Sequence, residues 1–419
     1  MSSGLILKAL ITLTLAGTLL SQPPAARAQT RGRARQPRAK PQAQPPPQAQ
    51  QAPDRPNPAF DQAVKLGDEA RAATRLEEAL GHYAQALKLR PKWAEGWWYV
   101  GAILYERDRY AEARDALRNV VELAPERGAA WGLLGLCEFQ TREYERAGSS
   151  LLRGRALGFD GNQELAAVAT YHAALLYIRF EQFEVGFDAL TEFVRVGNEG
   201  TKIIEAFGLA LMRMPYLPSE LPPARREQVM VAGRAGYDMA ARRMDQARAA
   251  FDQLLARYPN EPNVHYAFGV YMLNQDADAA MKEFRRELEI SPQHYPAMTQ
   301  MAFEHLKRDE FETALPLAEK AVQLAPKMFA ARNVLGRVLL ELGQIDRAIK
   351  ELEEGTRLAP NSPEMHYALG RAYRRAGREA DAKRHVALFQ KLQEEATARR
   401  NAQVGVGGEE AGGQPKEKP

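Results

Sequence analysis

The stretch Tyr99–Pro125, YVGAILYERDRYAEARDALRNVVELAP, contains the pattern from which the architecture follows. Apolar residues recur every three or four positions in both of its halves, which is typical of two amphipathic helices. The polar run ERDR between the halves predicts a short turn. Pro125 predicts the end of the second helix, because the residue before a proline avoids the α conformation. The stretch therefore predicts a helical hairpin, which must bury its apolar faces against neighbouring structure.

The hairpin recurs along the chain with a period of about 34 residues. Proline, glycine and alanine each keep this period, at Pro91, Pro125, Pro259, Pro292, Pro326 and Pro360, at Gly67, Gly101, Gly135, Gly269, Gly336 and Gly370, and at Ala79, Ala113, Ala147, Ala247, Ala280, Ala314, Ala348 and Ala382. Small side chains let two helices approach closely, so we expect the helices of each hairpin to cross at the glycine and alanine positions. Hairpins repeated at this period stack into a solenoid.

This pattern resembles the tetratricopeptide repeat (TPR) family. The residues that match the motif of that family are Trp97, Gly101, Ala113 and Pro125 in one unit and Trp131, Gly135 and Ala147 in the next. The resemblance covers roughly residues 60–390 and includes about eight or nine units. It implies an all-α fold, an α-solenoid of stacked helix-turn-helix repeats, and it implies binding of a protein or peptide.

A proline-rich stretch, Leu211–Pro223 (LMRMPYLPSELPP), interrupts the repeat. Its prolines cut short the helix that TKIIEAFGLALMRM predicts, and a new helix is predicted from about Pro223 to Ala241. We therefore expect an irregular seam over residues 201–227. The seam would join an N-terminal repeat block, residues 59–200, to a C-terminal block with a capping helix, residues 228–402.

The seam carries apolar side chains that could contact a partner, namely Met214, Tyr216 and Leu217. One interpretation is a loop packed over a gap between mismatched units. The other is a hinge or a partner-contact site, because loops this apolar are rarely left exposed.

The two ends of the chain predict export and disorder. Lys8, an apolar run from Ala9 to Leu20 and the small-residue site Ala26-Arg27-Ala28 form the layout of a signal peptide over residues 1–28. The run is shorter than the roughly 20 residues that span a bilayer, and an uncleaved N-terminal membrane anchor is the alternative. Residues 29–58 hold eight Pro and seven Gln and predict a disordered linker. Residues 403–419 are glycine-rich and polar and predict a disordered tail.

The charge of the chain is concentrated at its N-terminal end. The first 58 residues carry a net charge of +7 and the remaining residues carry −3, which gives +4 for the whole chain. A repeat region this close to neutral lacks the broad basic surface that nucleic acid requires, so we expect no nucleic-acid partner. The six cations of residues 29–58 predict at most a weak contact with a membrane surface or an envelope polymer.

The sequence lacks the motifs that enzymes, cofactor sites and metal sites need. It contains no HExxH, no GxSxG, no GxxxxGK[ST] and no dinucleotide fingerprint. Most of the seven histidines fall at repeat positions, and His265 and His366 take the place of Trp97, which predicts packing roles. Cys137, the only cysteine, is expected to be a small core residue. We expect no catalytic residues, no cofactor and no metal, and the repeats leave no length for a catalytic domain.

The TPR resemblance implies that the first helix of each unit lines a concave groove. The candidate binding residues on that face are Trp98, Tyr105, Phe139, Tyr266, Phe303, Asn333, Arg337, Tyr367, Arg371, Arg374 and Arg375. Aromatic residues and arginines are enriched at binding hot spots, and arginine binds carboxylates through two parallel hydrogen bonds. We therefore expect an acidic or carboxylate-ended partner at the arginine-rich end. The alternative is a solvated surface, and the family's peptide-terminus clamp is not reproduced in this sequence.

These features together predict a non-enzymatic protein-interaction scaffold or assembly factor of the bacterial cell envelope, periplasmic or secreted. The first alternative is an accessory subunit of polysaccharide or outer-membrane machinery that is tethered through the basic N-terminal arm. An enzyme is the remaining alternative.

Overall fold

The computed structural model describes residues 57–405, and every regular element in this range is helical. The α-helices are α1 (Pro58–Ala72), α2 (Leu76–Leu89), α3 (Ala94–Glu106), α4 (Tyr110–Leu123), α5 (Gly128–Gln140), α6 (Tyr144–Leu157), α7 (Gln163–Arg179), α8 (Phe183–Arg195), α9 (Thr201–Leu211), α10 (Arg226–Ala240), α11 (Met244–Arg257), α12 (Val264–Met272), α13 (Ala277–Ile290), α14 (Tyr295–Lys307), α15 (Phe311–Leu324), α16 (Phe329–Glu341), α17 (Ile345–Leu358), α18 (Pro363–Arg375) and α19 (Glu379–Gly405). A 3-10 turn, Pro223–Arg225, precedes α10. The predicted all-α fold is confirmed.

Consecutive helices pack as hairpins, and within residues 58–157 and 226–405 each hairpin packs on the next. The pairs α1–α2, α3–α4 and α5–α6 are in contact, as are α12–α13, α14–α15, α16–α17 and α18–α19. Neighbouring pairs meet through contacts such as α4–α5 and α17–α18. Each hairpin thus buries its apolar faces against the next one, which is the arrangement of an α-solenoid.

The glycines of the repeat lie where the helices of a hairpin cross, as predicted. A Cβ atom on Gly101 would lie 2.7 Å from Cγ of Leu117, and one on Gly336 would lie 2.5 Å from Cγ of Leu352. Both glycines are on the first helix of a pair and both leucines are on the second. The missing side chain therefore sets how closely the two helices approach.

The ends of the helices follow the turn chemistry of the sequence. The helices α2, α4, α15 and α17 each end two residues before a proline of the repeat. Inside the hairpins the chain reverses through a residue in the left-handed region, for example Asp108 and Asp309 at φ 59° and Gly343 at φ 75°. Such a residue is a common way to end a helix, because it turns the chain away from the helix axis.

The predicted seam contains a regular helix, a loop and a second helix. The helix α9 ends at Leu211, and α10 follows the 3-10 turn, as the prolines predicted. The side chains of Met212, Leu217 and Leu221 in the loop are buried, so at these residues the loop is packed. The helices α9 and α10 cross closely, because Gly208 lies against the carbonyl oxygen of Val229.

The chain forms two compact units that divide between Phe193 and Val194, so the seam lies within the second unit. The predicted block limits at residues 200 and 228 stay predictions, because a repeat boundary and the edge of a compact unit need not coincide. The predicted signal peptide, the linker up to residue 56 and the tail after residue 405 lie outside the described residues. Within residues 57–405, no helix combines the length and the hydropathy that crossing a membrane requires.

Candidate protein-binding groove

The aromatic groove candidates in the first compact unit, which ends at Phe193, are largely covered by neighbouring side chains. Trp98 on α3 is 9% exposed, and the guanidinium of Arg127 lies over its ring at 5.0 Å. Tyr105, on the same helix, is buried and meets the ring of Tyr110 edge-on at 5.5 Å. Phe139 on α5 is half-buried. These rings contribute mainly to packing between hairpins and offer little free surface.

In the second compact unit, which begins at Val194, a residue of the seam loop covers one of the groove candidates. The ring of Tyr266 on α12 is buried, and the guanidinium of Arg213 lies 5.8 Å from its centre. The three seam candidates differ in exposure: Leu217 is buried, Met214 is partly buried and Tyr216 is exposed. The structure therefore brings the seam loop into contact with the predicted groove at Tyr266.

The arginines at the C-terminal end of the groove are partly neutralised by one carboxylate. Arg371 donates a hydrogen bond to Oε1 of Glu341 at 2.9 Å, and Arg375 donates to Oε2 at 2.8 Å. Burial alone would raise the pKa of Glu341, but the hydrogen bonds from Arg375 and Arg371 lower it. Both arginines lie on α18 and the glutamate lies on α16, so this cluster also fixes the spacing of the two helices.

Sequence reasoning missed Glu341, although the repeat contains a signal for it. Glu341 lies 34 residues before Arg375, at the equivalent position of the preceding unit. A comparison of equivalent positions in neighbouring units would have placed an acidic residue one unit before Arg375.

Arg337 forms no hydrogen bond or ion pair with the described part of the chain. It lies on α16, is half-buried, and its guanidinium is 5.3 Å from the centre of the Phe303 ring. Within residues 57–405 no carboxylate is within ion-pair distance of it. Burial and the nearby charge of Arg371 lower the pKa of Arg337. The charge of Glu341 raises this pKa by less, so Arg337 is a half-buried cation near a carboxylate that is hydrogen-bonded to other arginines.

The remaining candidates lie on α16, which contains Arg337, and on α18. Tyr367 on α18 is 50% exposed, with its ring 5.3 Å from the ring of Phe389. Arg374 is exposed and has no ion-pair partner in the described part of the chain. Asn333 donates a hydrogen bond to Sδ of Met365 at 3.2 Å, so its amide is engaged in packing. The surface that remains accessible is formed by Phe303, Arg337, Tyr367 and Arg374.

The histidines at repeat positions have structural partners. Five side chains at the Trp97 position each donate an N–H to the carbonyl oxygen of the proline six residues before: Trp97 to Pro91, Trp131 to Pro125, His265 to Pro259, Arg332 to Pro326 and His366 to Pro360, at 2.8–2.9 Å. We call these five residues the proline-carbonyl column. The column gives His265 and His366 a structural role, a hydrogen bond to the proline that follows the preceding helix.

The described residues hold few groups that could support chemistry. Among them, no cluster of three or more His, Cys, Asp or Glu residues is arranged to bind a metal. Cys137 on α5 is fully buried, and burial raises the pKa of its thiol. The thiol is therefore held in its unreactive protonated form.

Comparison with known proteins identifies the family. Two tetratricopeptide repeat models match the chain, one over residues 64–125, 104–161 and 234–295 and the other over residues 305–372. Together the matched ranges span more than half of the 419 residues. The chain belongs to the tetratricopeptide repeat family. TPR domains bind protein partners, and proteins of this family are typically non-enzymatic scaffolds, so the protein is a TPR interaction scaffold.

Individual relatives of this TPR protein are distant. The chain is 25% identical over 173 residues to the "BBSome complex member BBS4 homolog" of Drosophila melanogaster. This match covers 41% of the present chain and 33% of the relative. The chain thus spans about a third of that relative's length. Among solved structures, "MamA 41-end from Desulfovibrio magneticus RS-1" is 21% identical with a TM-score of 0.36, over 40% of this chain and 96% of that one. Another, MamA AMB-1, is 25% identical with a TM-score of 0.33, over 38% of this chain and 94% of that one.

Proposed function

We propose that this TPR protein binds an acidic or carboxylate-ended segment of a partner protein on the surface formed by Phe303, Arg337, Tyr367 and Arg374. The observation that carries the proposal is Arg337, a half-buried cation held against Phe303 with no carboxylate partner in the described residues. A carboxylate of the partner would supply the missing counterion, and the exposed ring of Tyr367 would supply apolar contact.

The partner segment can be found by cross-linking from this surface. A photo-reactive amino acid in place of Tyr367, which is 50% exposed, would be introduced into the full-length protein in native cells. Mass spectrometry of the cross-linked peptides then identifies the segment that lies against the groove. We expect that segment to contain aspartate, glutamate or a chain terminus.

The affinity of the captured segment tests the role of the two arginines. Compared with the parent protein, the double variant Arg337→Ala and Arg374→Ala should bind it about ten-fold more weakly or worse, since arginines that become buried against a partner contribute strongly to binding. Arg347→Ala is the matched control, because Arg347 is an exposed arginine on α17 that pairs with Glu319. Equal affinity of the double variant and the control would exclude this surface as the binding site.

We further propose that the protein works in a bacterial cell envelope, as a periplasmic or secreted scaffold. The support is the signal-peptide layout of residues 1–28. The N-terminal sequence of the protein isolated from fractionated cells tests this: a start near residue 29 supports cleavage after Ala28. An intact N-terminus in the membrane fraction supports the anchor, and recovery in the cytoplasm would exclude export.

A second candidate function is an accessory subunit of polysaccharide or outer-membrane machinery. It is favoured by the six cations of residues 29–58, which suit an anionic lipid or polymer surface. Deletion of residues 29–58 distinguishes the two functions. Loss of association in the deletion variant, with unchanged binding in the Arg337→Ala and Arg374→Ala variant, would favour the accessory subunit.

A further inference from the structure

The last helical pair replaces an ion pair of the earlier units by two histidines. In α12–α13, Nδ1 of His265 in the proline-carbonyl column lies 2.6 Å from Oε2 of Glu283. In α16–α17, Arg332 of the same column contacts Glu351. At the equivalent place in α18–α19, Nδ1 of His366 lies 2.9 Å from Nδ1 of His385. The second helix thus presents an imidazole where the other two present a carboxylate.

The contact between His366 and His385 requires one shared proton. Nε2 of His366 donates to the carbonyl oxygen of Pro360 at 2.9 Å and therefore carries a hydrogen. A hydrogen bond between the two Nδ1 atoms then needs one donor and one acceptor. If both rings are protonated, both Nδ1 atoms are donors and the bond is lost. Two positive charges would then face each other across ring centres 5.1 Å apart.

The groups that face this pair do not offer a free counterion. Tyr373 on α18 packs against His385 with ring centres 5.4 Å apart, and its hydroxyl donates to Glu353 of α17 at 2.6 Å. Asp381 on α19 is paired with both Arg378 and Arg384. In the described residues no carboxylate is hydrogen-bonded to either histidine. Burial, the charge of His366 and that of Arg384 lower the pKa of His385, more than Asp381 and Glu353 raise it.

The pair lies inside the contact between α18 and α19. His366 is 4% exposed, and Cβ of His385 lies 3.6 Å from the place where a Cβ on Gly370 of α18 would be. Leu369 and Ala372 of α18 share a buried core with Ala382 of α19. A repulsion between the two imidazoles therefore acts on the surface that holds α19 in place.

We propose that the His366–His385 pair is a pH-sensitive latch, and that its double protonation in acid loosens α19 from α18 and exposes the apolar face of α18. The direction follows from proton binding. An unperturbed histidine titrates near pH 6.5. Docked α19 binds fewer protons than released α19 below that pH, so docking weakens as the pH falls. The latch requires no partner at Arg337, but the ring of Phe389 on α19 lies 5.3 Å from that of Tyr367, so loosening of α19 would also change the proposed binding surface.

Hydrogen exchange of the full-length protein tests the latch. Protection factors corrected for intrinsic exchange would be measured at about pH 7.5 and about pH 5, on either side of the histidine pKa. We expect protection in residues 379–392 to fall about ten-fold or more in acid, while α16 and α17 keep theirs. Equal protection of α19 at both pH values would overturn the proposal.

Two substitutions separate the latch from other effects of acid. His385→Glu recreates the pairing of His265 with Glu283, so α19 should keep its protection at about pH 5. His385→Gln provides an uncharged acceptor and serves if the first variant folds poorly. The α16–α17 pair, which contains no histidine, is the internal control in each sample. If α19 loses protection in acid in both variants as it does in the parent, other groups cause the loss and the latch is excluded.

Discussion

The position of Trp97 carries a side-chain hydrogen-bond donor in five repeat units, while Met298 occupies it in the unit after Pro292. The proline-carbonyl column contains tryptophan, histidine and arginine, which share little besides a side-chain N–H at the right reach. The accepting proline carbonyl lies in the turn after the preceding helix, so the hydrogen bond ties this turn to the next helical pair. This explains how His265 can replace Trp97 without any catalytic reason.

A second histidine, His294, gives a pH dependence that can be predicted. It precedes α14, where Nδ1 accepts a hydrogen bond from the backbone of Ala297 at 3.1 Å and Nε2 donates to Asn263 at 2.9 Å. The bond from Ala297 requires the neutral ring, because a protonated Nδ1 cannot accept a hydrogen bond. Burial and the nearby charge of Arg213 lower the pKa of His294 to about 4.

The stability of the fold should therefore decrease as the pH falls from about 6.5 to about 4, because the unfolded chain binds the extra proton in this window. At about pH 4.5, the lowered pKa of His294 should reduce the free energy of unfolding by about 2 kcal/mol relative to neutral pH. His294→Asn keeps a capping acceptor but removes the titration. Urea unfolding at about pH 7 and pH 4.5 should show a smaller acid loss in the variant than in the parent. Equal losses would contradict the assignment, and His385 does not affect the comparison because both proteins contain it.

The period of the sequence assigns each candidate residue to a helix, but it does not predict which side chains cover that residue. The positions of Trp98 and Tyr266 on their helices followed from the period. Their covers, Arg127 and Arg213, come from loops between helices, whose paths the period does not determine. Glu341 was missed for a related reason, since its contact with Arg371 depends on the offset between two helices.

At the scale of the helical pair, the repeat glycines determine how closely two helices approach. A leucine at Gly336 would place its Cβ 2.5 Å from Cγ of Leu352, so the α16–α17 pair must separate. We expect Gly336→Leu to lower the free energy of unfolding by about 1–3 kcal/mol, measured by urea unfolding. Gly81→Ala on α2 is the control: its Cβ meets nothing within 4 Å, and it should stabilise by about 0.5–1 kcal/mol. Destabilisation of similar size in both variants would show that helix crossing is not the cause.

At the scale of the whole molecule, the sequence predicted the repeated part well and the interruption only in outline. Prolines and glycines at fixed spacing act on the backbone locally, so helix ends and crossings could be read one unit at a time. The loop after α9 has no second copy in the chain to compare with. The burial of Leu217 and the exposure of Tyr216 depend on which helices lie beneath that loop.

A solenoid should transmit destabilisation only to neighbouring hairpins, and Cys137 can report this. Its buried thiol becomes reactive only when α5 opens, and α5 contacts α3, α4, α6 and α7. Gly135→Leu would place a Cβ 2.7 Å from Cγ of Leu151, within the same hairpin. In mild urea it should speed thiol labelling about ten-fold or more, because a loss of 1.4 kcal/mol is ten-fold in an opening equilibrium.

Gly336→Leu should leave the labelling rate of Cys137 unchanged, since no helix that contacts α5 contains Gly336. If both variants speed labelling equally, the chain unfolds as one cooperative body and the nearest-neighbour description is wrong.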